Sequence, residues 1–141
     1  MHTPPPFADI QDLPLDTDDA LRDRVAMLID RAARRQFWLM FLDDRCCQLP
    51  VVIPSAIPRR PGRGHTENLS RFLGDVVEEV DAESVVFVLE RPGPDELTDS
   101  DREWLTLAAA ASRDAGVRLR GPLLCFDGGL RWIGPEDIGQ I

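Results

Sequence analysis

The pattern of apolar and polar positions changes period several times along the chain, and each change marks a predicted element. Apolar residues recur at helical spacing over residues 21–35, directly after the N-cap candidates Asp16 and Thr17, which predicts a first helix. Residues 37–43 and 48–53 are runs rich in aromatic or β-branched side chains around a polar turn. These two runs predict a β-hairpin.

Two further helices with a strand between them are predicted in the middle of the chain. Apolar residues form a single stripe over residues 69–80, and Thr66 is the predicted N-cap of this second helix. Residues 84–89 are apolar without alternation, which is typical of a central strand covered on both faces. A third helix is predicted to begin at Thr98, because Thr98 and Asp101 have the spacing of a capping box.

The last part of the chain predicts a second hairpin. Gly116 ends the third helix, and a strand follows over residues 117–126 with a break at Gly121-Pro122. Residues 130–133 form the return strand after a glycine-rich turn. The order α-β-β-α-β-α-β-β predicts an α/β domain of three-layer-like build, with a mixed sheet of about five strands and three helices.

Length and composition favour one domain. A chain of 141 residues, 43% of them hydrophobic, is sufficient for one hydrophobic core. We expect the domain to span residues 16–134, between a flexible proline-rich arm at 1–15 and a tail at 135–141. The longest apolar run, residues 37–42, is far shorter than the roughly 20 residues of a membrane span. Because the N-terminus also resembles no signal segment, we expect a cytoplasmic protein without a membrane partner.

The charge balance narrows the classes of partner. The net charge is −9, and all 16 basic residues are arginine. A general nucleic-acid binder needs a basic face that neutralises phosphates, so no nucleic-acid partner is expected.

The cysteines and histidines do not form a recognisable chemical centre. Cys125 lies in an apolar run, which predicts a buried, reduced thiol. The adjacent Cys46 and Cys47 leave two interpretations open, ordinary thiols or a redox or metal-capture pair. His2 and His65 have no further ligand residues at suitable spacing. We therefore expect neither a metal nor another cofactor.

The element order and the loop after residues 84–89 resemble the JAB/JAMM domain of the RadC type. In that family a strand ends in a histidine-x-histidine-proline motif, and a short loop leads to serine-x-x-aspartate at the start of a helix. Pro92 matches the motif proline, and Thr98-x-x-Asp101 matches serine-x-x-aspartate with one residue deleted. The resemblance covers roughly residues 20–133 and implies the same α/β scaffold.

The zinc-binding histidines of that family have no counterpart here. Their positions hold Leu89 and Arg91, and residues 51–54 contain no carboxylate where the family has its general base. Asp101 alone remains of the presumed ligands, whereas a zinc hydrolase needs about three protein ligands and an activated water. The resemblance therefore implies a metal-free, non-catalytic relative that acts as a protein-interaction or accessory module. Its partner would be an unidentified protein or a second copy of the chain.

The segment before the second helix is the first candidate binding site. Arg59, Arg60 and Arg63 stand near glycines there, and their guanidinium groups with nearby backbone donors suit an anion. The negative net charge disfavours a polyanion but not an acidic protein segment. A solvated loop that balances acidic neighbours is the other interpretation.

The loop after the central strand is the second candidate, because α/β sheets place ligands at the carboxyl ends of their strands. Glu90, Arg91 and Asp95 suit a polar site there, and Glu90 with Arg91 equally suits a structural ion pair. The alternative function is therefore a small-anion or nucleotide binder, or a hydrolase, that uses one of these two loops. Trp132, on a predicted edge strand, is a candidate anchor for a partner or a second copy.

Overall fold

A mixed sheet of five strands, with helices on both faces, is the framework of the protein in the computed structural model. The structure describes residues 13–29 and 31–138, so His2 and most of the predicted arm lie outside the described part. The described elements follow the order α-β-β-α-β-α-β-β, and one helical turn comes after them. The predicted α/β fold class is confirmed.

The helices are α1 (Asp18–Leu28), α2 (His65–Val80) and α3 (Asp99–Ala115), with a single turn, α4 (Pro135–Ile138), in the predicted tail. The strands are β1 (Gln36–Leu42), β2 (Gln48–Ala56), β3 (Ser84–Glu90), β4 (Arg118–Phe126) and β5 (Gly129–Trp132). They lie in the order β2-β1-β3-β4-β5. Strands β3 and β4 are parallel, and the other neighbouring pairs are antiparallel.

Strand β3 is buried along its whole length because it lies between two hydrophobic cores. The larger core joins Phe87 of β3 to α2 and α3, and the smaller core joins Val86 and Val88 to α1. Successive residues of a strand point to opposite faces. Glu90 therefore continues the α1 face, whereas Arg91, directly after the strand, lies on the α2–α3 face.

Side-chain caps begin two of the helices as predicted. Thr17 Oγ1 accepts a hydrogen bond from Ala20 N (3.1 Å) at the start of α1. At the start of α3, Thr98 Oγ1 accepts from Asp101 N (3.1 Å), and Asp101 Oδ2 accepts from Thr98 N (3.0 Å). These two bonds form the expected capping box. Gly116 ends α3 in the left-handed conformation, also as predicted.

The predicted cap of α2 is wrong. Thr66 lies inside the first turn, since α2 begins at His65 and its N-cap is Gly64. Gly64 has a φ of 87°, a left-handed value that a residue with a Cβ adopts only at a cost. Helix α2 therefore begins at a glycine whose backbone adopts this conformation without strain, and it has no side-chain cap.

The first helix is shorter than predicted. It ends at Leu28 rather than near Arg35, and residues 31–35, which form an irregular segment, lead into β1. In that segment the backbone amides of Ala33 and Arg34 donate to the carboxylate of Glu90 (2.7 and 3.1 Å). These amides are thus bound by a distant residue, which a local helical pattern does not reveal.

Two strands continue through prolines at which the sequence pattern predicts an end or a break. Strand β2 passes through Pro54, and β4 crosses the cis Gly121-Pro122 bond, where its register with β3 shifts. Ile57 N donates to Arg35 O beyond the end of the β1–β2 ladder (3.4 Å). Because hydrogen-bonded pairs alternate in antiparallel ladders, Pro54 occupies a position that faces the open edge of the sheet. Its missing N–H therefore removes no bond to β1.

Candidate functional site

The carboxyl end of β3 places two charged residues in the interior. Glu90 is 2% exposed and Arg91 is 3% exposed. They project to opposite faces of the sheet, and each has its own partners. The interpretation of Glu90 and Arg91 as an ion pair is therefore wrong.

The Glu90 carboxylate accepts four hydrogen bonds. Gln36 Nε2 and Trp38 Nε1 donate to Oε1, both at 2.8 Å, and the amides of Ala33 and Arg34 donate to Oε2. Burial by itself raises the pKa of Glu90, but these hydrogen bonds outweigh burial and hold the pKa below its usual value. Glu90 is therefore a structural anion that fastens the segment before β1, and β1 itself, to the end of β3.

Cys125 is the neighbour of Glu90 on β4, on the same face of the sheet. Burial, with a contribution from the charge of Glu90, raises the pKa of the Cys125 thiol to about 11. The thiol is therefore protonated at neutral pH, and a protonated thiol is a poor nucleophile and metal ligand. The prediction of a buried, reduced Cys125 is confirmed.

All three nitrogens of the Arg91 guanidinium donate hydrogen bonds. Its Nη2 and Nε donate to Asp101 Oδ2 at 2.9 and 3.1 Å. Its other N–H groups donate to carbonyl oxygens of the following loop, those of Pro92, Pro94 and Glu96. Arginine carries five donors in a planar fork, so this one side chain shapes the loop and binds the helix that follows it.

Asp101 is fully buried at the start of α3. Burial by itself raises its pKa, but hydrogen bonds from Arg91 and Thr98 and the charge of Arg91 hold the pKa below its usual value. Arg35 Nη1 lies 4.0 Å from Asp101 Oδ1 and has no hydrogen-bond partner in the described part of the chain. Two guanidinium groups thus surround one carboxylate.

These residues do not fit the zinc site of the JAB/JAMM family. Leu89 has no donor atom, and Arg91 holds a permanent cation 2.9 Å from the carboxylate that would be a ligand. Zinc needs deprotonated nitrogen, sulfur or oxygen donors with free lone pairs. Over residues 13–29 and 31–138, no group of three histidine, cysteine, aspartate or glutamate side chains is placed to hold a metal ion.

The three loop arginines have different surroundings. Arg60 Nη1 is paired with Glu103 Oε1 of α3 at 2.8 Å. Arg59 and Arg63 are exposed, and neither side chain has a hydrogen bond or ion pair with another described residue. The carbonyl of Arg59 accepts from Trp104 Nε1 at 3.1 Å, so the loop is fastened to α3 through its main chain. Two of the three guanidinium groups are thus available for a ligand.

The remaining site predictions lie apart from one another. Asp95 is exposed, away from the buried Glu90 carboxylate, and its carbonyl accepts from Arg131 Nη1 (2.7 Å). The structure thus does not bring Glu90, Arg91 and Asp95 together in one polar site. Trp132, on the edge strand β5, is half-buried against the core that contains α1.

The other cysteines and the described histidine lie in loops or at a helix end. Cys46 and Cys47 are half-buried free thiols in the turn between β1 and β2, where Cys46 has a φ of 63°. His65 Nδ1 accepts from Gly62 N at 2.6 Å and so shapes the loop before α2. His65 also contacts Trp104, with ring centres 5.3 Å apart.

An apolar groove, which the sequence pattern does not reveal, lies between β2 and α2. Its volume is about 280 Å³. It is lined mainly by apolar and aromatic side chains, among them Phe37, Ile53, Ile57, Leu69, Phe72, Trp104 and Leu107. Phe72 belongs to the apolar stripe of α2, yet it is 40% exposed. An apolar stripe on a helix predicts a buried face, but it does not show which residues of that face the rest of the protein leaves exposed.

Comparison with protein-family models and curated proteins gives no relative from which a function can be transferred. No protein-family model matches the chain, and no curated protein is significantly similar to it. No helix among the described residues is long and apolar enough to cross a membrane. Function is therefore inferred from the geometry of the chain's own residues.

Proposed function

We propose that this protein is a metal-free JAB-like α/β domain that acts as a protein-interaction or accessory module. The Arg91–Asp101 ion pair carries the proposal. Arg91 stands at the position of the second motif histidine, and Asp101 stands at the position of the motif aspartate. A guanidinium therefore takes the place of the metal ion as the cation beside this carboxylate.

The surrounding elements support the same proposal. Helix α3 begins at the Thr98–Asp101 capping box and ends at Gly116, and the chain then enters β4, which is the order of the family motif. The protein would thus retain the scaffold of the family and use it without zinc.

The buried groups support a binding role rather than a catalytic one. Glu90 is held by four donors, Arg91 by Asp101 and loop carbonyls, and Cys125 is protonated. A general acid, a general base or a nucleophile must be able to reach a substrate. These side chains instead stabilise the interior, so recognition of a partner falls to the surface of the domain.

Metal analysis of the purified full chain tests the proposal. We expect no stoichiometric zinc after incubation with zinc and removal of the excess, because the donor set is incomplete. Stoichiometric zinc that is lost in the Asp101→Asn variant would contradict the proposal.

Restoring the motif tests the resemblance itself. Residues two apart in an extended chain share a face, so Leu89→His combined with Arg91→His should bring two imidazoles close to Asp101. We expect this double variant to bind zinc and to melt at a higher temperature with zinc than without, even if the apo form is destabilised. Adding Asp101→Asn should weaken zinc binding. A double variant that neither binds zinc nor gains stability from it would contradict the resemblance.

The alternative function, a small-anion or nucleotide binder or hydrolase, has less support. Arg60 is already paired with Glu103, and the residues of the loop after β3 do not converge. A thermal-shift screen with phosphate, nucleotides and small carboxylates distinguishes the two functions. Stabilisation that disappears with Arg60→Ala and Arg63→Ala would favour the alternative.

A further inference from the structure

The groove between β2 and α2 combines an apolar floor with an incomplete cover. Trp104 lies at its base, where its indole donates to the carbonyls of Pro58 and Arg59, both at 3.1 Å. The Arg59 carbonyl is held by a second donor, because the Ser100 hydroxyl also donates to it. The open side is marked by Phe72, which is 40% exposed and extends the apolar lining of the groove to the surface.

A positively charged loop adjoins this groove. Residues 59–64 connect two lining residues, Pro58 and His65. Arg59 and Arg63 project from this loop without an ion pair to any described residue, whereas the chain as a whole carries a net charge of −9. The loop is therefore a local cationic region beside an apolar groove, and it complements an acidic partner.

The edge of β2 beside the groove is not suited to adding a strand. Pro54 faces the open edge and offers no N–H there, and Pro50 removes another donor from the same strand. Main-chain pairing with a partner strand would thus meet a gap in the row of donors. Recognition at this surface rests on side chains.

We propose that this groove binds an acidic peptide segment of a partner protein, in which an aromatic or branched aliphatic anchor stands beside carboxylates. The anchor packs against Trp104 and Phe72, and the carboxylates pair with Arg59 and Arg63. The inference rests on the proposed interaction function and names the surface and the chemistry of the partner. A peptide with acidic residues around a single apolar anchor matches both the arginines of the loop and the apolar groove.

A selection from a display library of random linear 12-residue peptides, with the intact chain as bait, tests this proposal. We expect the enriched peptides to share acidic residues around an aromatic or branched aliphatic residue. The affinity of a fluorescein-labelled enriched peptide is then measured by fluorescence anisotropy at low and high salt. Because ion pairs at the rim are screened, added salt should weaken binding.

Two variants identify the surface, and each has a matched control. Arg59→Glu combined with Arg63→Glu should weaken binding about tenfold or more, and Phe72→Ala should do the same. Arg113→Glu with Arg118→Glu reverses two exposed arginines elsewhere, and Leu13→Ala removes another large exposed apolar side chain, which is 53% exposed. Both controls should leave the affinity unchanged. All these side chains lie at the surface, so the variants should fold.

Several outcomes would overturn the proposal. These are enrichment of no peptide, enrichment of basic peptides, or binding that the groove variants leave intact. A chain that forms dimers in sedimentation velocity, and becomes monomeric in the Phe72→Ala variant, would assign the groove to a second copy instead. None of these results bears on the zinc measurement, which decides the proposed function separately.

Discussion

At the end of β3, Arg91 performs a task that lysine cannot. Its planar group reaches Asp101 along one edge and the carbonyls of the loop along the others. An ammonium group offers three donors at a single point, so it cannot reach both sides. This position is therefore specific for arginine, not merely for a positive charge.

We predict that Arg91→Met is strongly destabilising. The change leaves the Asp101 carboxylate buried without its hydrogen-bonded cation, since Arg35 Nη1 remains 4.0 Å away. Removing one partner of a buried pair costs about 3–5 kcal/mol of unfolding free energy. Urea denaturation measures this cost, and Arg60→Met, which breaks the exposed pair with Glu103, should cost less than about 1 kcal/mol. Equal costs for the two variants would contradict the structural role of Arg91.

Glu90 should make stability depend on pH. Its pKa is lowered in the folded state, so its contribution is present above the unfolded value of about 4.3 and is lost as the pH falls through the folded value. We predict that Glu90→Gln costs about 2 kcal/mol at pH 7, because the carboxylate accepts four hydrogen bonds. The difference from the natural chain should shrink below about pH 4. Denaturation at a series of pH values measures it, with exposed Glu79→Gln as the control.

At the level of elements, the three long helices begin in two different ways. Helices α1 and α3 begin at threonine caps, and α2 begins at Gly64 without any cap from a side chain. The β2–α2 loop therefore depends on glycine and on the bond from Gly62 N to His65. A helix can begin without a capping hydroxyl where tertiary contacts hold its apolar face.

The two threonines Thr98 and Thr66 provide a matched comparison. We predict that Thr98→Ala lowers the unfolding free energy by about 1 kcal/mol, because it removes the acceptor of the capping box. Thr66→Ala should have little effect, since Thr66 lies inside the first turn of α2. Thermal or urea denaturation of both variants checks this order of effects. A larger effect at Thr66 would contradict the assigned start of α2.

Local patterns predicted the elements whose partners are close in sequence or whose burial is complete. The unbroken apolar run of β3 and the capping box at Thr98 are such cases, and both are as predicted. The end of α1 is not, because Glu90 binds Ala33 and Arg34 across more than fifty positions of the chain. The apolar pattern near residue 33 therefore cannot predict where α1 ends.

The candidate site was predictable in part for the same reason. The place of Arg91 and Asp101 at the end of β3 and the start of α3 follows from the apolar run of residues 84–89 and from the capping-box spacing of Thr98 and Asp101. Their pairing depends on which side of the sheet each residue faces, and the sequence equally suited a pair between Glu90 and Arg91. The groove depends on how far α2 covers β2, which is a property of packing between elements.

Over the whole molecule, arginines connect segments that are distant in sequence. Several of them donate to main-chain carbonyls far along the chain, at distances of 2.7–3.0 Å: Arg22 to Leu130, Arg120 to Leu15 and Arg131 to Asp95. Each bond joins a strand or helix to an irregular segment or an edge strand. The chain contains no lysine, and several of its arginines have a structural role that uses the donors of the guanidinium group.

The reactivity of the three cysteines toward a thiol reagent should distinguish the folded molecule from the unfolded one. We predict that a thiol reagent at pH 8 modifies Cys46 and Cys47 in the native protein but not Cys125. Burial keeps Cys125 protonated, with a pKa of about 11, and closed to the reagent. Mass spectrometry after timed labelling checks this, and denaturant should make all three cysteines reactive. Rapid modification of native Cys125 would contradict its burial.

The Glu90 carboxylate should also slow the opening of residues 31–35, which lead into β1. The amides of Ala33 and Arg34 belong to exposed residues outside any helix or strand, where rapid exchange with deuterium is the ordinary expectation. Their bonds to a buried anion in the central strand should instead slow exchange toward the rate of the sheet. This irregular segment would then open together with β3, and Glu90→Gln would release it to exchange as an independent loop.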